Sequence, residues 1–177
     1  MNRYKSKNLP LLGLIILFAL VVVLILFIVK KSNGNTHDNP SNLETFYVSE
    51  VIDGDTIRIS TGGSEQKVRL IGVDTPETKN PSKPVECYGP EASAYLSSRL
   101  TGRYVSLEAD QSQGDADAYG RLLRFVWLDG ENINLSIIKG GFGREYTFNL
   151  PYKYQRNFLE AENSAKSTKS GLWGACE

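Results

Sequence analysis

The chain has 177 residues, enough for one domain of ordinary size, and its 20 Lys and Arg balance its 20 Asp and Glu. Arg3, Lys5, Lys7, Lys30 and Lys31 lie in the first 31 residues with no acid, leaving 15 basic against 20 acidic residues, a net of about −5, in the remainder. That balance excludes a domain holding polyanions by a general basic excess; the single histidine, His37, argues against histidine-based catalysis, and two distant cysteines exclude a four-ligand zinc site.

Leu9–Val29, LPLLGLIILFALVVVLILFIV, is apolar throughout. At about 1.5 Å per residue, a helix there spans roughly the 30 Å of a bilayer core. No small-x-small cleavage site follows, so residues 9–29 read as an uncleaved transmembrane anchor, with signal cleavage and secretion as the alternative. The basic charges before the segment slightly outweigh Lys30 and Lys31. This puts residues 1–8 in the cytoplasm as a short basic tail and the rest of the chain outside. Residues 30–43 contain the run SNGNTHDNPSN and read as a flexible linker, with His37 a solvated member of it. The domain proper is residues 44–177. In an external compartment its two cysteines, Cys87 and Cys176, are expected to pair.

Within the domain, TFYVSEV at Thr45–Val51 is β-rich, DGD at Asp53–Asp55 is a turn, and TIRIS at Thr56–Ser60 alternates apolar and polar residues. TGG at Thr61–Gly63 turns the chain again, and Gln66–Val73 completes a three-stranded meander. A loop carrying Pro81 and Pro84 ends at Gly89. PEASAYLSSRL, Pro90–Leu100, is a helix with proline in its first turn, Glu91 favourable to its N-terminus and Gly102 as its stop. Arg103–Ala109 alternates as a fourth strand, Asp110–Ala118 is an acidic loop, and Arg121–Leu128 is a fifth strand closed by Asp129-Gly130. Ile133–Lys139 is a short helix stopped by Gly140 and Gly141. The spacing of Tyr154, Phe158 and Ala161 predicts a last helix to about Lys169. Five short strands with a helix between the third and fourth give an α+β, mainly β fold: a five-stranded oligonucleotide-binding-type barrel with about three helices.

Two carboxylates stand at strand ends, Asp55 and Asp74, and strand ends of a meander can meet at one rim. With a backbone carbonyl and water they suit a hard cation such as calcium; equally, Asp is a turn former. Arg69 lies in an otherwise apolar strand, and Arg121 opens another. Each is either a phosphate clamp or a structural ion pair. Pro76 restricts Thr75 to extended geometry and can fix Glu77 at the rim, where a carboxylate can order or deprotonate a water, or simply cap the turn. Arg58, Arg103, Arg124 and Arg144 read as surface residues, and Trp127 and Trp173 as packing.

The fragments VIDGDT, RLIGVDTPET, YGPEAS, DAYGRLLRFVWLDG and SGLWG, in this order, resemble the staphylococcal nuclease (thermonuclease) family from about Phe46 to Gly174. The resemblance implies a five-stranded barrel with three helices and calcium-dependent hydrolysis of phosphodiesters in DNA and RNA. Carried over by position, Asp55 and Asp74 would be side-chain calcium ligands and the Thr75 carbonyl a third. Glu77 would act on the attacking water, and Arg69 and Arg121 would hold the phosphate. Such an enzyme is expected to work as a monomer. A silent binding module on the same barrel is the competing reading, and the presence of all five side chains favours the enzyme. The family fold also brings the C-terminal segment near the first helix, so Cys87 and Cys176 are expected to form a disulfide. Two departures stand out. The loop before YGR is acidic, with Asp110, Asp115 and Asp117, and has Ala118 where the family often has a basic residue, which should weaken substrate binding. The segment REYTFNLPYKY also differs, leaving Tyr119 and Tyr146 as candidate substrate contacts.

Overall fold

The computed structural model describes residues 44–79, 81, 82 and 84–176. The expected cytoplasmic tail, anchor and linker, with His37, lie outside the described residues. No helix among the described residues is long and apolar enough to cross a membrane.

Strands β1 (Thr45–Asp53), β2 (Thr56–Thr61) and β3 (Ser64–Leu70) form the antiparallel meander. β5 (Tyr104–Glu108) pairs antiparallel with β1, and β6 (Leu122–Leu128) pairs antiparallel with β5. Parallel pairing of β3 with β6, Val68 opposite Leu122 and Leu70 opposite Arg124, closes the barrel. Closure leaves none of these five strands with an open edge. Inward residues alternate along the strands, and Val48, Ile57, Ile59, Val68, Val105 and Phe125 are fully or almost fully buried. Helices α1 (Gly89–Leu100), α2 (Ile133–Lys139) and α3 (Gln155–Ser167) pack on this core through Leu96, Ile137 and Phe158.

The expected third strand, Gln66–Val73, is broken in two. β3 ends at Leu70, and Val73–Asp74 form a separate two-residue strand, β4. Gly72 makes the break: its φ is +76°, and a Cβ there would lie 2.5 Å from the Tyr152 ring. Beyond the break β4 turns away to pair with β8 (Arg144–Glu145), Val73 opposite Glu145 and Asp74 opposite Arg144. Two further elements are not expected from the sequence: β7 (Glu131–Asn132), joined to β6 by the Asp129-Gly130 turn with both residues at positive φ, and the one-turn helix α4 (Leu172–Ala175). These pieces are too short to carry a period.

The Cys87–Cys176 disulfide is present, with Cα atoms 5.8 Å apart, and ties the residue before the α1 entry to the chain end.

Candidate active site

The site grows from the β1–β2 turn. Gly54 lets the turn seat on the β4 side, since a Cβ there would lie 2.7 Å from Thr75 Oγ1. Asp55, the last residue of the turn, has only 13 % of its side chain exposed. Its Oδ1 accepts from Thr56 Oγ1 at 2.9 Å. Its Oδ2 accepts from the Thr75 amide at 3.2 Å and Thr75 Oγ1 at 3.3 Å, and faces Arg69 Nη2 at 3.2 Å. A buried carboxylate so thoroughly supplied with donors is fixed in place.

Arg69 links the two halves of the broken strand. Its Nη1 donates to the carbonyls of Leu70 at 3.2 Å and Val73 at 2.5 Å. Its Nη2 lies 3.2 Å from Asp55 Oδ2 and 3.3 Å from Asp74 Oδ1. Two carboxylates from different strand ends thus converge on one cationic nitrogen. Asp74 has 53 % of its side chain exposed. Desolvation of its inner side nonetheless pushes its carboxyl above the usual range, with Asp55 adding to this and Arg69 and Arg144 opposing it.

A cleft of about 310 Å³ opens beside this pair, lined by Asp53, Asp55, Thr56, Lys67, Glu77, Lys79 and Arg121, with Ile52. Glu77 is oriented by its own turn: Oε1 accepts from the amides of Thr78 at 3.0 Å and Lys79 at 2.7 Å. Arg121 reaches the cleft from the start of β6, held by Asp117, whose Oδ2 accepts from its Nε at 2.6 Å and whose Oδ1 accepts from its amide at 3.0 Å. Asp55, Glu77 and Arg121 therefore share one cleft, and Arg69 with Asp74 and Thr75 flanks it through Asp55.

The profile of the family described as staphylococcal nuclease homologue matches residues 67–175. The chain belongs to this family. It is 40 % identical over 163 residues to the thermonuclease of Staphylococcus hyicus, spanning 91 % of this chain and 95 % of the relative. It is 35 % identical over 161 residues to the thermonuclease of Staphylococcus intermedius, spanning 90 % and 95 %. Endonuclease YncB of Bacillus subtilis (strain 168) is 37 % identical over 147 residues, 81 % of this chain and 69 % of the relative. With such relatives along most of its length, the chain is a nuclease, a hydrolase of phosphodiester bonds.

Several features of this staphylococcal nuclease homologue escape the sequence. Asp53, read there only as part of a turn, is buried and accepts from Gly54 N at 2.9 Å, Thr78 Oγ1 at 2.8 Å and Ser93 Oγ at 2.7 Å on Oδ1, and from Thr78 N at 3.3 Å on Oδ2. Burial alone would raise its pKa, but the bonds from Ser93 and Thr78, with Glu77 and the Gly54 amide, outweigh burial and hold it below the ordinary value. Asp53 thereby fastens the Glu77 turn to the barrel and to α1. Nothing local distinguishes it from Asp55; only the partners, 25 and 40 residues away, do.

The acids of the loop before β6 are bound within the fold. Asp117 is bound to Arg121, Asp115 pairs with Arg124 at 2.6 Å, and Asp110 accepts from Ser112 and from the Lys153 amide. Arg124, expected at the surface, has its side chain 14 % exposed and also donates to the carbonyls of Asp115 and Leu123. Tyr119 and Tyr146 are both exposed, Tyr119 by 85 %, and neither is among the residues lining the cleft. Tyr119 lies under the Arg121 guanidinium, 5.4 Å from ring centre to Cζ, while Tyr146 neighbours Phe148. Trp127 packs on Tyr154 and donates to Glu108 at 2.8 Å.

Proposed function

We propose that the nuclease is calcium-dependent and cleaves DNA and RNA endonucleolytically at the Asp55–Asp74 rim. The observation that carries this reading is the convergence of Asp55 and Asp74 on Arg69 beside a cleft that also presents Glu77 and Arg121.

The donor chemistry fits a hard cation. Both side chains offer carboxylate oxygens, and each already faces a positive nitrogen. No group of three or more His, Cys, Asp or Glu gathers around a common point among the described residues. The protein's share is thus two carboxylates and the Thr75 carbonyl, which suits an ion that keeps some water and takes oxygens from substrate. When bound, calcium would supply positive charge at the phosphate. Arg69 and Arg121 would hold the phosphate through charge-assisted bonds that strengthen as its charge grows in the transition state. Glu77, fixed by two amides, would orient the attacking water and accept its proton. Tyr119 and Tyr146 would contact the substrate strand outside the cleft.

The test is release of acid-soluble fragments from DNA and from RNA by the purified full-length chain, with calcium and with chelator. Equal release with chelator sinks the calcium assignment. Products confined to mononucleotides from chain ends sink the endonucleolytic one. We further propose that the domain works outside the cytoplasmic membrane, held by residues 9–29. The disulfide supports this, because such bridges persist in oxidising compartments. Protease added to intact cells should then release an active fragment.

A further inference from the structure

We infer that Arg144 is a third arginine contacting the substrate, holding a backbone phosphate next to the scissile one on the Asp74 side. This rests on the placement of the active site proposed above.

The first observation is position. Arg144 lies in β8 directly opposite Asp74 in the β4–β8 ladder and is exposed. Arg121 lines the cleft beside Asp55, whereas Arg144 is not among the lining residues and sits across the ladder from Asp74. A strand seated at Asp55 and Asp74 carries further phosphates on either side of the one being cut, and Arg144 is placed for one of them.

The second observation is that it forms no close ion pair. Among the described residues, Arg58, Arg69, Arg99, Arg103, Arg121, Arg124 and Arg156 each have a carboxylate oxygen within 4.0 Å, and Arg144 has none. In a domain with a net acidic charge, such a cation is available to a polyanion.

The third observation is that the guanidinium is already held. It lies over the Trp173 ring, 5.2 Å from Cζ to the ring centre, and Lys166 Nζ lies 4.6 Å from the same ring. Glu162 fixes this assembly, pairing with Lys166 at 2.7 Å and accepting from the Glu145 amide of β8 at 3.2 Å. A guanidinium seated over a ring can still donate its N–H groups to a phosphate, and a pre-ordered side chain loses little entropy on binding.

The test compares Arg144→Gln and Arg144→Lys with wild type, using a fluorophore-labelled single-stranded DNA oligonucleotide and calcium over a series of salt concentrations. Arg144→Gln should raise KM about fivefold to tenfold at low salt, with kcat within about twofold. The slope of log(1/KM) against log salt should become shallower by about 0.7, the loss of one phosphate contact on a single strand. Arg144→Lys, which keeps the charge, should recover most of the KM and all of the slope. A folded Arg144→Gln with wild-type KM and slope overturns the inference. So does a raised KM with an unchanged slope, because that pattern belongs to a packing role on Trp173. Arg69→Ala and Glu77→Gln run alongside: if they keep turnover the site itself is misplaced, whereas if they lose it while Arg144→Gln behaves as wild type, only the Arg144 contact fails.

Discussion

Arg69 faces two acids and two carbonyls at once, so its removal is both a chemical and a geometric loss. Arg69→Ala and Arg121→Ala should each lower turnover by several orders of magnitude, about 3–5 kcal/mol of transition-state stabilisation. Lysine at either position should rescue only partly, because a point charge lacks the bidentate fork. Glu77→Gln should lose turnover with the fold kept. Arg103→Ala, which breaks only an exposed pair with Asp129, should change little. Steady-state kinetics on variants shown folded by circular dichroism check the set, and near wild-type rates for Arg69→Ala and Glu77→Gln would falsify the assignment. Asp53→Ala tests positioning: with Thr78 and Ser93 released, kcat should fall about 10²-fold through a misplaced Glu77. An Asp53→Ala enzyme that turns over normally would show that the turn holds itself. At this scale the sequence was informative where a residue was out of character, as with an arginine in an apolar strand. It was silent on Asp53, whose meaning lies in partners remote along the chain.

Elements matter here mainly through how they end. β3 and β4 look like one strand in sequence because VRLIGV is nearly all apolar; only the Gly72 backbone and the Tyr152 ring divide it. Asn134 of α2 secures the division. It is fully buried, its Oδ1 accepts from Val126 N at 2.9 Å, and its Nδ2 donates to the carbonyls of Ile71 at 2.9 Å and Arg124 at 3.2 Å. Asn134→Ala strands these groups without water and should cost about 2–4 kcal/mol in denaturant melts. A loss below 1 kcal/mol would mean the link supports itself. The loop before β6 makes a pH-dependent case. Burial opposes ionisation of Asp117, but bonds from Arg121 and the Tyr119 amide outweigh it and hold its pKa below the ordinary 3.8. A depressed carboxyl pKa stabilises the fold above about pH 3.8, and the contribution fades as pH falls through the lower, folded value. Asp117→Asn should therefore cost about 1–2 kcal/mol at pH 7, and its gap from wild type should narrow below pH 3.8. A gap that persists unchanged into stronger acid would contradict this origin. The sequence shows the loop's acids but not that each is matched internally.

For the whole molecule, barrel order and class followed from the strand count and from the helix between the third and fourth strands, since period and turn residues are local signals. Closure through the parallel β3–β6 ladder is non-local, and no local signal in the sequence names that pairing. The disulfide acts at this scale. The cysteines are 89 positions apart, and a cross-link of that span should contribute on the order of 4 kcal/mol in the chain-entropy model. Reductant, or Cys87→Ser with Cys176→Ser, should lower the melting temperature of the folded enzyme; an unchanged melt would mean that the packing of α4 alone holds the chain end.

The bridge also changes what a cut in the polypeptide means. Phe148 and Leu150 are exposed on the segment between β8 and α3, a place open to digestion, and this segment lies within the span that Cys87 and Cys176 enclose. A peptide bond hydrolysed there leaves two pieces still covalently joined. On a gel the nicked enzyme would run as one band without thiol and as two with it. Scission would not by itself let the C-terminal helices leave the barrel, so the molecule can be clipped and yet remain one body.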